Sequence, residues 1–361
     1  MSATRWIAVL AATAALLAGC GGGSETTEAT RAEPRAAEAT REEPRAAEAS
    51  REEPREPEAR PGKREELNLG VDGAPGPQNV GVWMAERRGF LRKAGFDAWV
   101  RSPVGPYRPI PYLTEGSVDL TVSHLPEVVL ARERGVPVVA VASLIPQPTA
   151  AMIWLKKSKI GGIADLKGKT IAIPGVSFQK LFLEAILARA DLTLADVEVV
   201  NGGYELVPAL ASGRVDAAFG GSANVEGAEL EARGLEPVVT GVQSYGIPAY
   251  DELVVIVRPD RLAGEPQAIR DILAAVKRGT AAAVEDPGEA VDVIADEDFE
   301  SSRKEIEAGV KATLPLLSGA GRLSPERTDR LIAWMLEQGM IQRELPASEL
   351  QTDDYLPVRP K

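Results

Sequence analysis

From residue 67 onward, the apolar positions follow two alternating patterns. Short apolar runs bounded by glycine, proline or polar residues read as strands. Longer stretches with apolar residues every three or four positions read as helices. The pattern predicts strands at 67–71, 96–101, 118–123 and 136–143, with helices at 79–93, 110–115 and from residue 126. An apolar run at 151–155 and a polar break at 156–162 are read as a crossing between two parts of the molecule. The alternation then resumes, with strands at 170–174, 197–200, 217–219 and 237–240 and helices at 177–190, 206–211 and 225–233. A second apolar run at 253–257 is read as the return crossing. The remainder is helical, at 266–285, 287–294, 299–317 and 325–338. Prolines open several of these helices, as suits first-turn positions. The alternation predicts parallel sheets with crossover helices, an α/β class.

Two stretches share one grammar. GSVDLTVSHLPEVVLARERGVPVV (116–139) and GRVDAAFGGSANVEGAELEARGLEPVV (213–239) both run from G-x-V-D through an apolar strand and a turn. Each then has a glutamate (Glu127, Glu226), a helical stretch, a glycine stop and P-V-V. The unit fits two α/β lobes, each offering one loop to a common cleft. It also fits one long doubly wound sheet in which the unit recurs.

The 361 residues are enough for two domains, and 44% hydrophobic with 26% charged residues suits a folded core. A net charge of -12 argues against a nucleic-acid partner. With one cysteine (Cys20) and one histidine (His124), an internal disulfide and a Cys/His zinc site are both excluded. No metal and no cofactor is expected. Residues 1–19 have a basic start, an apolar run and small residues before Cys20, a secretory signal pattern. The L-A-G-C at 17–20 resembles the bacterial lipobox, so Cys20 is the expected lipidation site and residues 1–20 the lipoprotein signal. Residues 21–66 lack apolar periodicity and hold a decapeptide repeat at 28–37, 38–47 and 48–57. A proline in each repeat breaks helix, and a chain with so little to bury stays solvated. This stretch reads as a linker between membrane and domain.

ADLKGKTIAIPG (164–175) resembles a segment widespread in solute-binding proteins of ABC importers, and VGVWMAERRGFLRKAGFDAWV (80–100) resembles their first helix and second strand. NVE at 224–226 together with YGIPAYDELVVIV at 245–257 resembles the family that binds thiamine pyrimidine precursors. That family is related to the eukaryotic pyrimidine synthases of thiamine biosynthesis. The resemblance covers 67–339 and implies a periplasmic-binding fold of type II, in which two α/β lobes are joined by two crossovers and a hinge closes on ligand. Lobe one is expected at 67–150 plus 246–361 and lobe two at 151–245. The implied function is a lipid-tethered, extracytoplasmic, monomeric binding protein. It would deliver a small heterocycle to an ABC permease and ATPase. Riboflavin, sulfonate or nitrate binding, a sensory lipoprotein and a synthase-like enzyme are the alternatives. The cysteine-rich iron-binding segment of the synthases is absent, because Cys20 is the only cysteine. The opening loop GAPGPQN places Asn79 near an expected histidine, and His124 falls where tyrosine is frequent.

Ligands in open α/β lobes bind beyond the carboxyl ends of the strands. Contacts are therefore expected from 72–80, 123–126, 174–178, 220–226 and 245–251. Glu226 is the leading candidate, because a carboxylate can accept two N–H groups from an aminopyrimidine edge. It would equally be stabilised by the dipole of a helix N-terminus. Asn224 can contact ligand or cap that helix. Asn79 and Ser177 each fit an N-cap as well as a ligand contact. The rings of Trp83, Phe178, Tyr245 and Tyr250 are candidates to sandwich a flat heterocycle, with core packing as the alternative for Trp83. His124 and Asp251 complete the set. No catalytic constellation is present: there is no G-x-S-x-G elbow and no Walker phosphate loop.

Overall fold

The computed structural model describes residues 64–71, 73–102, 108–203 and 205–357; Cys20 and the decapeptide repeat lie outside the described residues. The first strand, β1 (Glu65–Gly70), is followed by a 3-10 turn (Pro77–Asn79) and two short helices, α1 (Val80–Arg87) and α2 (Phe90–Lys93). The single helix predicted over 79–93 is thus interrupted at Arg88–Gly89. Next come β2 (Phe96–Arg101), α3 (Pro109–Thr114), β3 (Leu120–His124), α4 (Leu125–Glu133) and β4 (Val139–Ile145). The chain then enters a second sheet through β5 (Ala150–Leu155), β6 (Thr170–Ile173), α5 (Ser177–Ala188), β7 (Glu198–Asn201), α6 (Leu206–Ser212) and β8 (Ala217–Ser222). A π-helical turn (Ala223–Gly227) leads into α7 (Ala228–Ala232), and β9 (Pro237–Gly241) follows. The last strand, β10 (Leu253–Val257), returns to the first sheet. The helices α8 (Pro259–Gly264), α9 (Pro266–Glu285), α10 (Pro287–Ala295), α11 (Arg303–Thr313), α12 (Pro325–Glu337) and α13 (Ala347–Leu350) finish the chain.

The strand orders are β2-β1-β3-β10-β4 and β7-β6-β8-β5-β9. Both sheets are mixed, not parallel as predicted: β10 runs antiparallel to β3 and β4, and β5 antiparallel to β8 and β9. The runs read as crossings are these two inner strands. Every residue of both is buried, so each reads as solidly apolar without being a connector. The crossings themselves are the short segments 146–149 and 242–252 beside them.

The sequence repeat has a structural cause. Asp119 Oδ2 accepts the Asn68 N–H at 2.7 Å, and its own N–H donates to Asn68 O at 2.8 Å. Asp216 does the same to Thr170, at 3.0 and 2.9 Å. Each aspartate thus pins its strand (β3, β8) to the neighbouring parallel strand (β1, β6). The shared G-x-V-D marks equivalent places in two equivalent lobes. Among the described residues no helix is long and apolar enough to cross a membrane.

Candidate functional site

A cavity of about 200 Å³ opens between the two sheets. Its lobe-one wall is the 73–79 loop, His124 at the end of β3, and Asp298, Glu300 and Ser301 in the loop before α11. Its lobe-two wall is Pro174, Val176 and Gln179 around the start of α5, with Gly220, Ser222, Glu226, Glu229 and Arg233 from the end of β8 through α7. These positions are where an α/β lobe exposes free strand ends and helix N-termini. Four of the five predicted contact stretches supply wall residues. The fifth, 245–251, does not.

Of the candidates, the structure brings Asn79, His124 and Glu226 to the wall. Asn79 is buried at the N-cap position of α1, yet its side chain makes no capping bond, because a 3-10 turn feeds the helix instead. Glu226 accepts the Ser222 N–H at 2.6 Å, closing the turn that it also faces. His124 lies against Phe178, ring centroids 5.3 Å apart, and its Nδ1 meets Glu252 Oε1 at 2.8 Å. A carboxylate only accepts, so Nδ1 carries the proton.

The other candidates lie off the wall, each for a visible reason. Trp83 packs inside lobe one on the inner face of α1. Phe178 is buried behind His124 and meets Phe182 edge-on at 5.0 Å. Ser177 is the first residue of α5 and no cap. Its hydroxyl donates to Glu127 Oε1 at 2.7 Å, and the same oxygen accepts Phe178 N–H at 3.0 Å. A lobe-one carboxylate therefore caps a lobe-two helix. Asn224 is buried and donates to Thr313 Oγ1 on α11 at 2.7 Å, another contact between lobes. Tyr245 is half-buried against the core. Tyr250 is fully buried, edge-on to Phe182, with its hydroxyl toward Glu252 at 3.3 Å. Burial pushes its phenol well above the usual range, and the adjacent Glu252 carboxylate adds to this. Asp251 is buried between Ser143 and Arg327, each at 2.8 Å. The segment that carries these last residues is itself one of the two crossings and supplies no wall residue.

Sequence reasoning missed several wall groups. Gln179 carries no motif, and Gln78 was included only as part of the 72–80 stretch. Glu300 was read as helix and Asp298 as the residue just before it, whereas α11 starts only at Arg303, where Ser302 and Glu305 form a capping box. Glu229, three residues beyond Glu226, also faces the cavity. Burial pushes its carboxyl up to about 8, and the Glu226, Glu305 and Asp298 carboxylates push the same way. Glu252 was missed as well. It is 1% exposed and accepts Thr149 N–H at 2.7 Å and Ala150 N–H at 3.2 Å. It thereby ties one crossing to the other and to the wall histidine. Among the described residues Arg233 is the one cation on the wall, and it is paired with Glu305. The site can therefore accept hydrogen bonds and attract a cation. No group of three or more His, Cys, Asp or Glu that could hold a metal occurs among the described residues.

Known proteins share this architecture. A family described as NMT1/THI5 like matches residues 76–290. A protein of Haemophilus influenzae named for thiamine biosynthesis is 29% identical over 288 residues, spanning 79% of this chain and 91% of its own. The formylaminopyrimidine-binding protein of Halalkalibacterium halodurans is 26% identical, over 79% of this chain and 89% of its own. Among solved structures, the alkanesulfonate-binding protein SsuA of Xanthomonas axonopodis pv. citri, bound to MOPS, superposes with a TM-score of 0.63 at 18% identity. It covers 81% of this chain and 99% of that one, and shows the two-lobed periplasmic-binding fold.

Proposed function

The chain belongs to the NMT1/THI5-like family, and from that premise we propose that it is the substrate-binding protein of an ABC importer, with a thiamine pyrimidine precursor as its ligand. The observation that carries this reading is the acceptor-rich, acidic wall of the inter-lobe cavity. An aminopyrimidine presents N–H donors along one edge and takes a proton on its ring, so carboxylates on the wall complement it. The family relative named as a formylaminopyrimidine-binding protein supports the same ligand class.

Size and charge argue against the alternatives within the fold. About 200 Å³ lies below the roughly 300–1,000 Å³ of sites for drug-sized ligands, which suits one ring better than a flavin. A sulfonate or nitrate would face the Glu226, Asp298 and Glu300 carboxylates with only Arg233 in its favour among the described wall residues. The enzyme reading loses support because the chain's single cysteine, Cys20, precludes a cysteine-rich iron segment. The lipobox-like L-A-G-C supports an anchor at Cys20, with the repeat as a spacer that lets the lobes reach a permease.

Calorimetric titration of the purified protein tests the ligand class. Saturable binding of 4-amino-5-hydroxymethyl-2-methylpyrimidine is expected, with no binding of riboflavin or of an alkanesulfonate. Tighter binding of the sulfonate, or no binding of the pyrimidine, would overturn the reading. Incubation with ferrous iron should produce no new pyrimidine; turnover would make the protein an enzyme.

A further inference from the structure

Gln179 is the third residue of α5, is 2% exposed, and forms part of the cavity wall. Its Nε2 donates to Gly220 O at 3.2 Å, while its Oε1 has no hydrogen-bond partner. Buried side-chain acceptors are nearly always satisfied, so an orphan on a residue of the cavity wall marks a place where a ligand donor completes the bond.

The backbone is shaped to hold the amide there. Where β8 pairs with β5, the register slips between Ala151 and Met152, which leaves Gly220 bulged out of the ladder. Gly220 has φ 88°, and a Cβ on it would come within 2.5 Å of Gln179 Nε2. On the next residue, Gly221, a Cβ would stand 3.3 Å from Glu226 Cδ. The two glycines therefore let an amide and a carboxylate close in on the same short piece of strand. An alanine at Gly220 would be strained and would displace the amide.

We infer that Gln179 is a specificity-determining residue: its Oε1 accepts an N–H from the amino group of the bound pyrimidine, while Glu226 takes a second donor from the same edge. The inference rests on the aminopyrimidine reading above. It goes further by requiring two donors, read by one neutral and one charged acceptor. A ring with an acceptor or a methyl in place of the amino group leaves the Gln179 oxygen unsatisfied, and a site built around a hydrogen bond discriminates against such analogues.

The experiment compares two probes, 4-amino-5-hydroxymethyl-2-methylpyrimidine and its analogue with methyl in place of the amino group. Each is titrated into the full-length protein and into Gln179→Met, which keeps the length but removes the acceptor. The expected result is a loss of roughly tenfold for the amino compound and no change for the methyl analogue. Gly220→Ala, which moves the acceptor without removing it, should narrow the preference for the amino compound in the same direction. It keeps the test open if Gln179→Met fails to fold. Equal losses for both probes would mean that Gln179 only supports the fold, and would overturn this inference while leaving the ligand class standing. If the unmodified protein binds neither probe, the pyrimidine reading falls and this inference falls with it.

Discussion

Glu226 serves the fold and the wall at once, because the carboxyl that holds the Ser222 N–H also faces the cavity. Glu226→Ala should weaken aminopyrimidine binding by about 1–3 kcal/mol, the scale of a lost buried partner. An unchanged dissociation constant in calorimetry would place the site elsewhere. Glu229 makes a different prediction. Its carboxyl ordinarily titrates near 4.5 and is pushed up to about 8 in the folded chain, first by burial and then by the neighbouring carboxylates. Between those two values the folded state holds the extra proton. Its contribution to stability is complete below about pH 4.5 and is lost as pH rises through about 8. Glu229→Gln is never ionised at this position and escapes that loss. The melting temperature of the variant, relative to the unmodified protein, should therefore climb from pH 5 to pH 9. A difference that stays flat across that range would mean the carboxyl is solvated.

At the scale of elements, the packing of α1 on α9 depends on small residues that meet face to face. A Cβ on Gly279 would fall 2.0 Å from Gly81 O and 2.6 Å from Ala85 N, and one on Gly81 would strike Thr280. Nothing bulkier fits without separating the helices, and overpacking of this kind costs about 1–3 kcal/mol or more. Gly279→Ala should therefore lower the denaturant midpoint while leaving ligand affinity within about twofold, since α9 lies away from the cavity. The hinge depends on Glu252, whose carboxylate holds backbone N–H groups of one crossing and lies beside the wall histidine. Glu252→Leu would leave those donors buried without a partner. A loss of several kcal/mol in chemical denaturation is expected, on the order of 3 kcal/mol. A melting curve superposable on that of the unmodified protein would show the hinge held by other contacts.

Across the whole molecule, side-chain contacts join the two lobes around the cavity. The Ser177 hydroxyl and the Phe178 N–H on Glu127, Asn224 on Thr313, Gln78 on Ser222 at 2.5 Å and Arg233 on Glu305 all join one lobe to the other. Such contacts favour the state in which the cavity is closed, and ligand adds to them. Glu127 is off the cavity wall, so Glu127→Ala tests closure without touching ligand. Affinity should fall by a few-fold, and small-angle scattering without ligand should give a larger radius of gyration; an unchanged radius would dissociate this latch from closure. Much of this architecture was legible in the chain. Hydrophobic periodicity located most strands and helices, and the repeated G-x-V-D marked two equivalent strand-loop-helix units, because local backbone preference and burial act on neighbouring residues. The antiparallel run of β5 and β10 was not legible, since an inner strand is apolar whichever way it points. Aromatic residues were a poor guide to the wall for a related reason: Trp83, Phe178 and Tyr250 are large and apolar, and a core takes them as readily as a cleft. By itself, the sequence determined the α/β class and, through the family resemblance, two lobes, with four of its five expected contact stretches lining the cleft. Only the tertiary structure decided that Gln179, Glu229 and Asp298 share one cavity and that Glu252 spans the hinge. Those meetings join residues far apart in the chain, and they depend on how two separately folded sheets come together.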